Sequence, residues 1–147
     1  MAVQPVFAVP AFDFESPERP LEIVVIHTSI RGTRHALKTA GQCARGIAGH
    51  IRLIVPQVVP FPLQLHQPPI RSEFYAGFLR PIAEASPVET RIELRLCRDS
   101  WETLELALRP GSIVVLCGPR RWWPTRESRL ARRLRKGGHQ VAYIYYK

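Results

Sequence analysis

The residues best suited to chemistry fall in two short stretches, each placed directly after an apolar run. The first is His27-Thr28-Ser29-Ile30-Arg31-Gly32, which follows Leu21 to Ile26. The second is Gly118-Pro119-Arg120-Arg121-Trp122-Trp123-Pro124, which follows Ser112 to Cys117. The guanidinium groups of Arg31, Arg34, Arg120, Arg121 and Arg126 can grip phosphate bidentately. The hydroxyls of Thr28, Ser29 and Thr125 add donors, and Gly118 lets backbone approach a ligand closely. His27 can change charge near neutral pH, so it is a candidate proton carrier or ligand contact; the commoner role of such a residue is hydrogen-bonded structure. Cys117 also ends an apolar run. A nucleophilic cysteine needs a base and a depressed pKa, and neither is legible here, so a buried structural thiol is the reading adopted. The Trp122-Trp123 pair could stack on a base, accept cations or anchor an interface; packing or an interface is preferred.

No paired carboxylates, triad or metal-ligand spacing accompanies these groups. Cys43, Cys97 and Cys117 lie far apart and form no CxxC pair. We therefore expect no catalytic residue, no metal and no enzymatic activity. Odd, scattered cysteines fit a reducing compartment, and the proline-bearing first twenty residues do not read as a signal peptide. No apolar run is long enough to span a bilayer. A cytoplasmic protein without membrane contact is expected.

Charge is unevenly placed. The 147 residues carry a formal net charge of +9 from 21 Lys and Arg against 12 Asp and Glu. Eight of those 21 cations lie between Pro119 and Gly138, against Glu127 alone. Such a field attracts phosphate-bearing ligands, an acidic protein or nucleic acid. A solvated helix face whose arginine stems cover apolar surface would look the same. A lone basic helix without a recognised motif ranks nucleic acid below the other partners.

The elements that must position these groups alternate. Five strands are predicted at about 21–27, 51–58, 88–96, 112–117 and 140–146. The runs LEIVVI and SIVVLC suit strands buried on both faces. Val88 to Leu96 alternates apolar with charged residues, which predicts an edge strand with one wet face. Between the strands lie four helices, predicted to start at Thr33, Ser72, Asp99 and Thr125. The first carries Ala36, Leu37, Ala40, Cys43, Ala44, Ile47 and Ala48 on its inner face and stops at Gly49. The second carries Phe74, Phe78, Leu79, Ile82 and Ala83, with Pro81 expected to kink or shorten it. Strands alternating with helices imply a doubly wound parallel sheet with helices on both faces. At 46% hydrophobic and 22% charged residues the chain is an ordinary globular domain. It divides into a proline-rich arm, residues 1–20, and one α/β domain, residues 21–147.

This pattern resembles the universal stress protein family over about residues 20–147. VVIHTS at Val24–Ser29 is similar to that family's first strand and turn, and LIVPQVVPFP at Leu53–Pro62 to its second strand and proline-rich loop. LCRDSWETLELAL at Leu96–Leu108 and SIVVLCGPRR at Ser112–Arg121 look like its third strand with the following helix and its fourth strand. The resemblance implies a five-stranded parallel sheet in the order 3-2-1-4-5, and a homodimer formed through the last strand. Many members bind ATP with a G-x2-G-x9-G-[ST] loop. Here the first glycine matches Gly118, the second falls on Arg121, and the third on Ala131 followed by Arg132. The aspartate that ends the family's first strand corresponds to His27. These departures imply a divergent member that has lost that ATP site, so no cofactor is expected.

Ligands on such sheets bind where the strand order reverses, here between the first and fourth predicted strands. Thr28, Ser29, Arg31, Arg34, Gly118, Arg120, Arg121, Thr125 and Arg126 are the residues expected around that crevice. The leading expectation is a non-catalytic domain of the stress-protein type acting by dimerisation and by partner or ligand contacts. An anion or nucleotide sensor using those arginines is the alternative. Nucleic-acid binding through residues 120–136 comes third.

Overall fold

A computed structural model describes residues 6–7, 21–47, 49–68 and 70–146. In chain order the elements are β1 (Val6–Phe7), β2 (Glu22–Ile26), α1 (Ile30–Gly46), β3 (His50–Val58) and α2 (Ser72–Glu84). They continue with β4 (Thr90–Cys97), α3 (Ser100–Ala107), β5 (Ile113–Pro119), α4 (Arg126–Lys136) and β6 (Gln140–Tyr146). The sheet runs β1-β4-β3-β2-β5-β6. Its last five strands in that order are mutually parallel, which is the predicted 3-2-1-4-5 arrangement. β1 is an addition: it pairs antiparallel with β4, Val6 opposite Glu93 and Phe7 opposite Ile92. The remainder of the predicted arm lies outside the described residues.

The apolar runs do what their composition dictates. Ile23, Val25, Leu53, Val55, Ile92, Leu94 and Val115 point to one face of the sheet, where Ala36, Leu37, Ala40 and Ala44 of α1 and Leu79 of α2 cover them. Val24, Ile26, Ile54, Val114 and Leu116 point to the other, under Leu104 of α3 and Ala131 and Leu134 of α4. At ~25 cal/mol per Å² of apolar surface removed from water, these two layers are the main source of stability.

Several local expectations are corrected. Ser29, not Thr33, caps α1: its hydroxyl accepts from Gly32 N and its carbonyl from Thr33 N. Thr33 is buried in the first turn, engaged elsewhere. α1 ends at Gly46, three residues before Gly49, whose N–H closes back on the Ala44 carbonyl. Cys43 and Ile47 face outward, because only a narrow stripe of α1 touches the sheet, and Ala48 lies outside the described residues. Arg71 takes the cap position of α2, since the Ser72 hydroxyl donates instead to Gln57. Phe74 and Phe78 are exposed and meet edge to face, and only Leu79, Ile82 and Ala83 of the predicted stripe point inward. α2 runs through Pro81 to Glu84. Asp99 and Thr125 cap α3 and α4 as expected, the latter in a reciprocal box with Ser128.

The charged face of β4 is not simply wet. Glu93 is buried and receives a two-pronged hydrogen bond from Arg52, both contacts at 2.7 Å, with Arg95 at 3.3 Å. Arg52 also donates to the Ala107 carbonyl at the end of α3, which lies over this side of the sheet. Burial alone would raise the Glu93 carboxyl, but the Arg52 hydrogen bond and the two arginine charges outweigh it and hold it below the ordinary carboxylate range.

Candidate functional site

β2 delivers His27 to the carboxyl end of the sheet. Its Nδ1 lies 2.6 Å from the Thr33 hydroxyl on α1 and its Nε2 lies 2.6 Å from the Tyr75 hydroxyl on α2. The imidazole thus pins two helices to the end of the first parallel strand. Burial pushes its pKa from the ordinary 6.5 down to about 4, so it is neutral at physiological pH. A neutral imidazole has one donor and one acceptor, and the two hydroxyls supply the complements in either tautomer. Burial also raises the Tyr75 phenol, which therefore stays protonated. Tyr75 was not among the residues singled out from the sequence: 48 positions separate it from His27, and no spacing rule links them.

His27, Thr28 and Tyr75 line one wall of a cleft of about 380 Å³. Ile26, Pro56, Val58 and Leu104 give it an apolar floor, and Ser100, Trp101, Arg126, Glu127, Arg129 and Arg133 close the far side. The Arg133 guanidinium lies over the Trp101 ring, 4.0 Å from its centre. The volume falls in the range of small-molecule sites.

The nine residues expected around one crevice are in fact divided. Between β2 and β5 the crevice itself is filled. Thr28 Oγ1 donates to the Cys117 carbonyl at 2.8 Å, bridging the two strand ends. The first turn of α1 sits directly on that bridge: a Cβ on Gly32 would lie 2.7 Å from Thr28 Oγ1 and 3.0 Å from the Cys117 carbonyl oxygen. Ser29 is spent on its cap. Gly118 is equally enclosed, since a Cβ there would overlap the Tyr143 hydroxyl and come 2.9 Å from Glu127 Cβ. Thr125 caps α4 and lies 3.4 Å from that same Tyr143 hydroxyl. Arg126 faces the His27 cleft, whereas Arg34 lies along a groove between α1 and α2. Arg31, Arg120 and Arg121 gather on a third site beside Tyr145 and Tyr146. Ala131 is buried on the inner face of α4 and Arg132 is exposed on its outer face, so neither stands in a loop.

Cys117 is fully buried, and burial raises its thiol, in keeping with a structural role. Trp122 is 91% exposed and meets Trp123 edge to face, so the pair does not serve as core. No described helix is long and apolar enough to cross a membrane.

The topology and the placement of the cleft beyond the carboxyl ends of parallel strands define a doubly wound α/β domain. A universal stress protein from Archaeoglobus fulgidus superposes with a TM-score of 0.57, over 84% of this chain and 93% of that one, at 13% sequence identity. No protein-family model matches the sequence. No curated protein matches it either.

Proposed function

We propose that this chain is a non-catalytic domain of the universal stress protein type that associates with a second copy through β6, works through ligand or partner contacts, and has lost the Mg-ATP site of its fold relatives. The observation that carries the reading is the filling of the space around Gly118. Tyr143 and Glu127 occupy the approach that a phosphate would need to reach backbone there. Glu127 adds a carboxylate, which repels phosphate. His27 supports it further: both ring nitrogens already have partners, and a neutral imidazole lacks the paired acceptors of an aspartate.

Self-association is supported by β6. This strand pairs with β5 on one side only, among the described residues, and carries Tyr143 and Tyr145, the latter 57% exposed. An edge of this kind is a template for pairing. Calorimetry with Mg-ATP at physiological salt tests the first half: weak or no heat, little distinction between ATP and GTP and no hydrolysis are expected, and tight adenine-selective binding would refute it. Sedimentation tests the second: a dimer at tens of micromolar is expected, and a Tyr145→Asp variant should be monomeric. A wild-type monomer would overturn that part alone.

A further inference from the structure

We infer that the His27 cleft binds a small monocarboxylic acid, its apolar body on the cleft floor and its carboxylate held by Arg126, Arg129 and Arg133. The inference names the ligand class for the site described above, and it rests on the reading that Mg-ATP no longer occupies this end of the sheet.

The floor asks for an apolar body. Ile26, Pro56, Val58 and Leu104 form it, in a cleft of about 380 Å³. Val58 closes β3 and is still 46% exposed. Apolar surface left open to water gains ~25 cal/mol per Å² on being covered.

The cations sit on one wall. Arg126, Arg129 and Arg133 recur at helical spacing along α4, so one face of that helix brings all three to the cleft. Like charges so placed repel one another. Among the described residues neither Arg126 nor Arg129 has an ion-pair partner, and Arg133 lies over the Trp101 ring rather than against an acid. Glu127 is the one acid among the described residues of the lining. It stands in the first turn of α4, where the helix end favours it, and its stem presses towards Gly118. Glu127 thus answers the helix terminus and leaves the guanidinium forks to a ligand.

The opposite wall is uncharged. His27 has a partner on each ring nitrogen and is neutral, and the Tyr75 phenol stays protonated. A carboxylate is thereby directed to the arginines and the uncharged end of the ligand to Tyr75. One negative charge suits the cleft better than several, because every further charge also meets Glu127. A guanidinium pairs with both oxygens of a carboxylate at once, which a neutral amide cannot reproduce.

The shared chemistry is an apolar body bearing one carboxylate, of aromatic or aliphatic origin. The test is a backbone-amide NMR titration of the full chain at pH 7 and constant ionic strength with benzoate, hexanoate, acetate, benzamide and AMP. Saturable shifts at residues 26–28, 56–58, 100–104 and 126–133 are expected with benzoate and hexanoate. Tighter benzoate identifies an aromatic acid, and tighter hexanoate an aliphatic one. Benzamide lacks the charge and acetate lacks the body, so each should bind about tenfold more weakly or worse. Arg129→Gln should weaken benzoate about tenfold, and Val58→Glu, at an already exposed floor position, at least as much. Arg132→Gln, on the outer face of α4, should leave it unchanged. Benzamide binding as well as benzoate, an equal loss from Arg132→Gln, or no saturable shift with either acid would overturn the inference. AMP separates the two readings. Silent AMP beside failed carboxylates leaves the loss of the nucleotide site standing, whereas AMP binding tighter than benzoate at these residues overturns both.

Discussion

Acidification should unfold this protein through His27 before it touches the carboxylates. The folded imidazole titrates at about 4, against an ordinary 6.5. Between those values the unfolded chain takes up a proton that the native state refuses. Proton uptake by the unfolded state lowers stability as pH falls, and the loss is complete below the folded pKa. From these two values the contribution amounts to about 2 kcal/mol at pH 5 and about 3 kcal/mol below pH 4. The cause is structural: protonation makes both ring nitrogens donors, in a site whose burial leaves the charge poorly solvated. Urea unfolding of wild type and His27→Gln, at intervals from pH 7.5 to 5, isolates the effect. The other histidines are common to both proteins and cancel in the difference. Wild type should lose about 2 kcal/mol more than the variant over that range, chiefly below pH 6.5. A difference that stays flat, or a His27 imidazole that titrates near 6.5 by NMR, would refute the reasoning.

Two other perturbations follow from the packing. Gly118→Ala must displace Tyr143 or the Glu127 stem and should cost about 1–3 kcal/mol in urea unfolding, the usual penalty of overpacking. Gly77→Ala, on the exposed side of α2 with open space where a Cβ would go, should instead stabilise by about 0.5–1 kcal/mol. Arg52→Met strips Glu93 of its two-pronged partner and should cost about 3 kcal/mol at pH 7. Adding Glu93→Leu should recover part of that loss, since no carboxylate is then left without Arg52, although Arg95 loses its acid. Wild-type stability held by Glu93 is present above its unfolded pKa, near 4.5, and should disappear as pH falls through its lower folded value.

The order of elements was legible in the sequence because it rests on periodicity, which is local. LEIVVI and SIVVLC are too apolar to bear water on either face, so they had to lie in a sheet covered on both sides, and that requires helices between the strands. Caps that depend on one side chain and the next turn, at Asp99 and Thr125, were legible for the same reason. Caps with a rival nearby were not: Ser29 stood four residues before Thr33, and only the fold shows that the Thr33 hydroxyl is turned to His27. The alternation of β4 gave its two faces, but that Glu93 would be roofed by α3 and paired with Arg52 across the sheet depends on strand order. Site residues were the least legible. Sequence alone could say that Thr28, Arg31, Gly118 and Arg121 end up near the same strand ends. Whether they face one crevice depends on which side of the sheet each side chain takes, and on how closely α1 seats against β5. Those are set by Gly32 resting on Thr28 and Cys117, and by Tyr143 and Glu127 closing over Gly118, contacts between residues far apart in the chain. Local pattern therefore determined the architecture and the chemistry in stock. Packing across the sheet decided that the crevice would be full, that His27 would be neutral, and that the arginines would meet elsewhere.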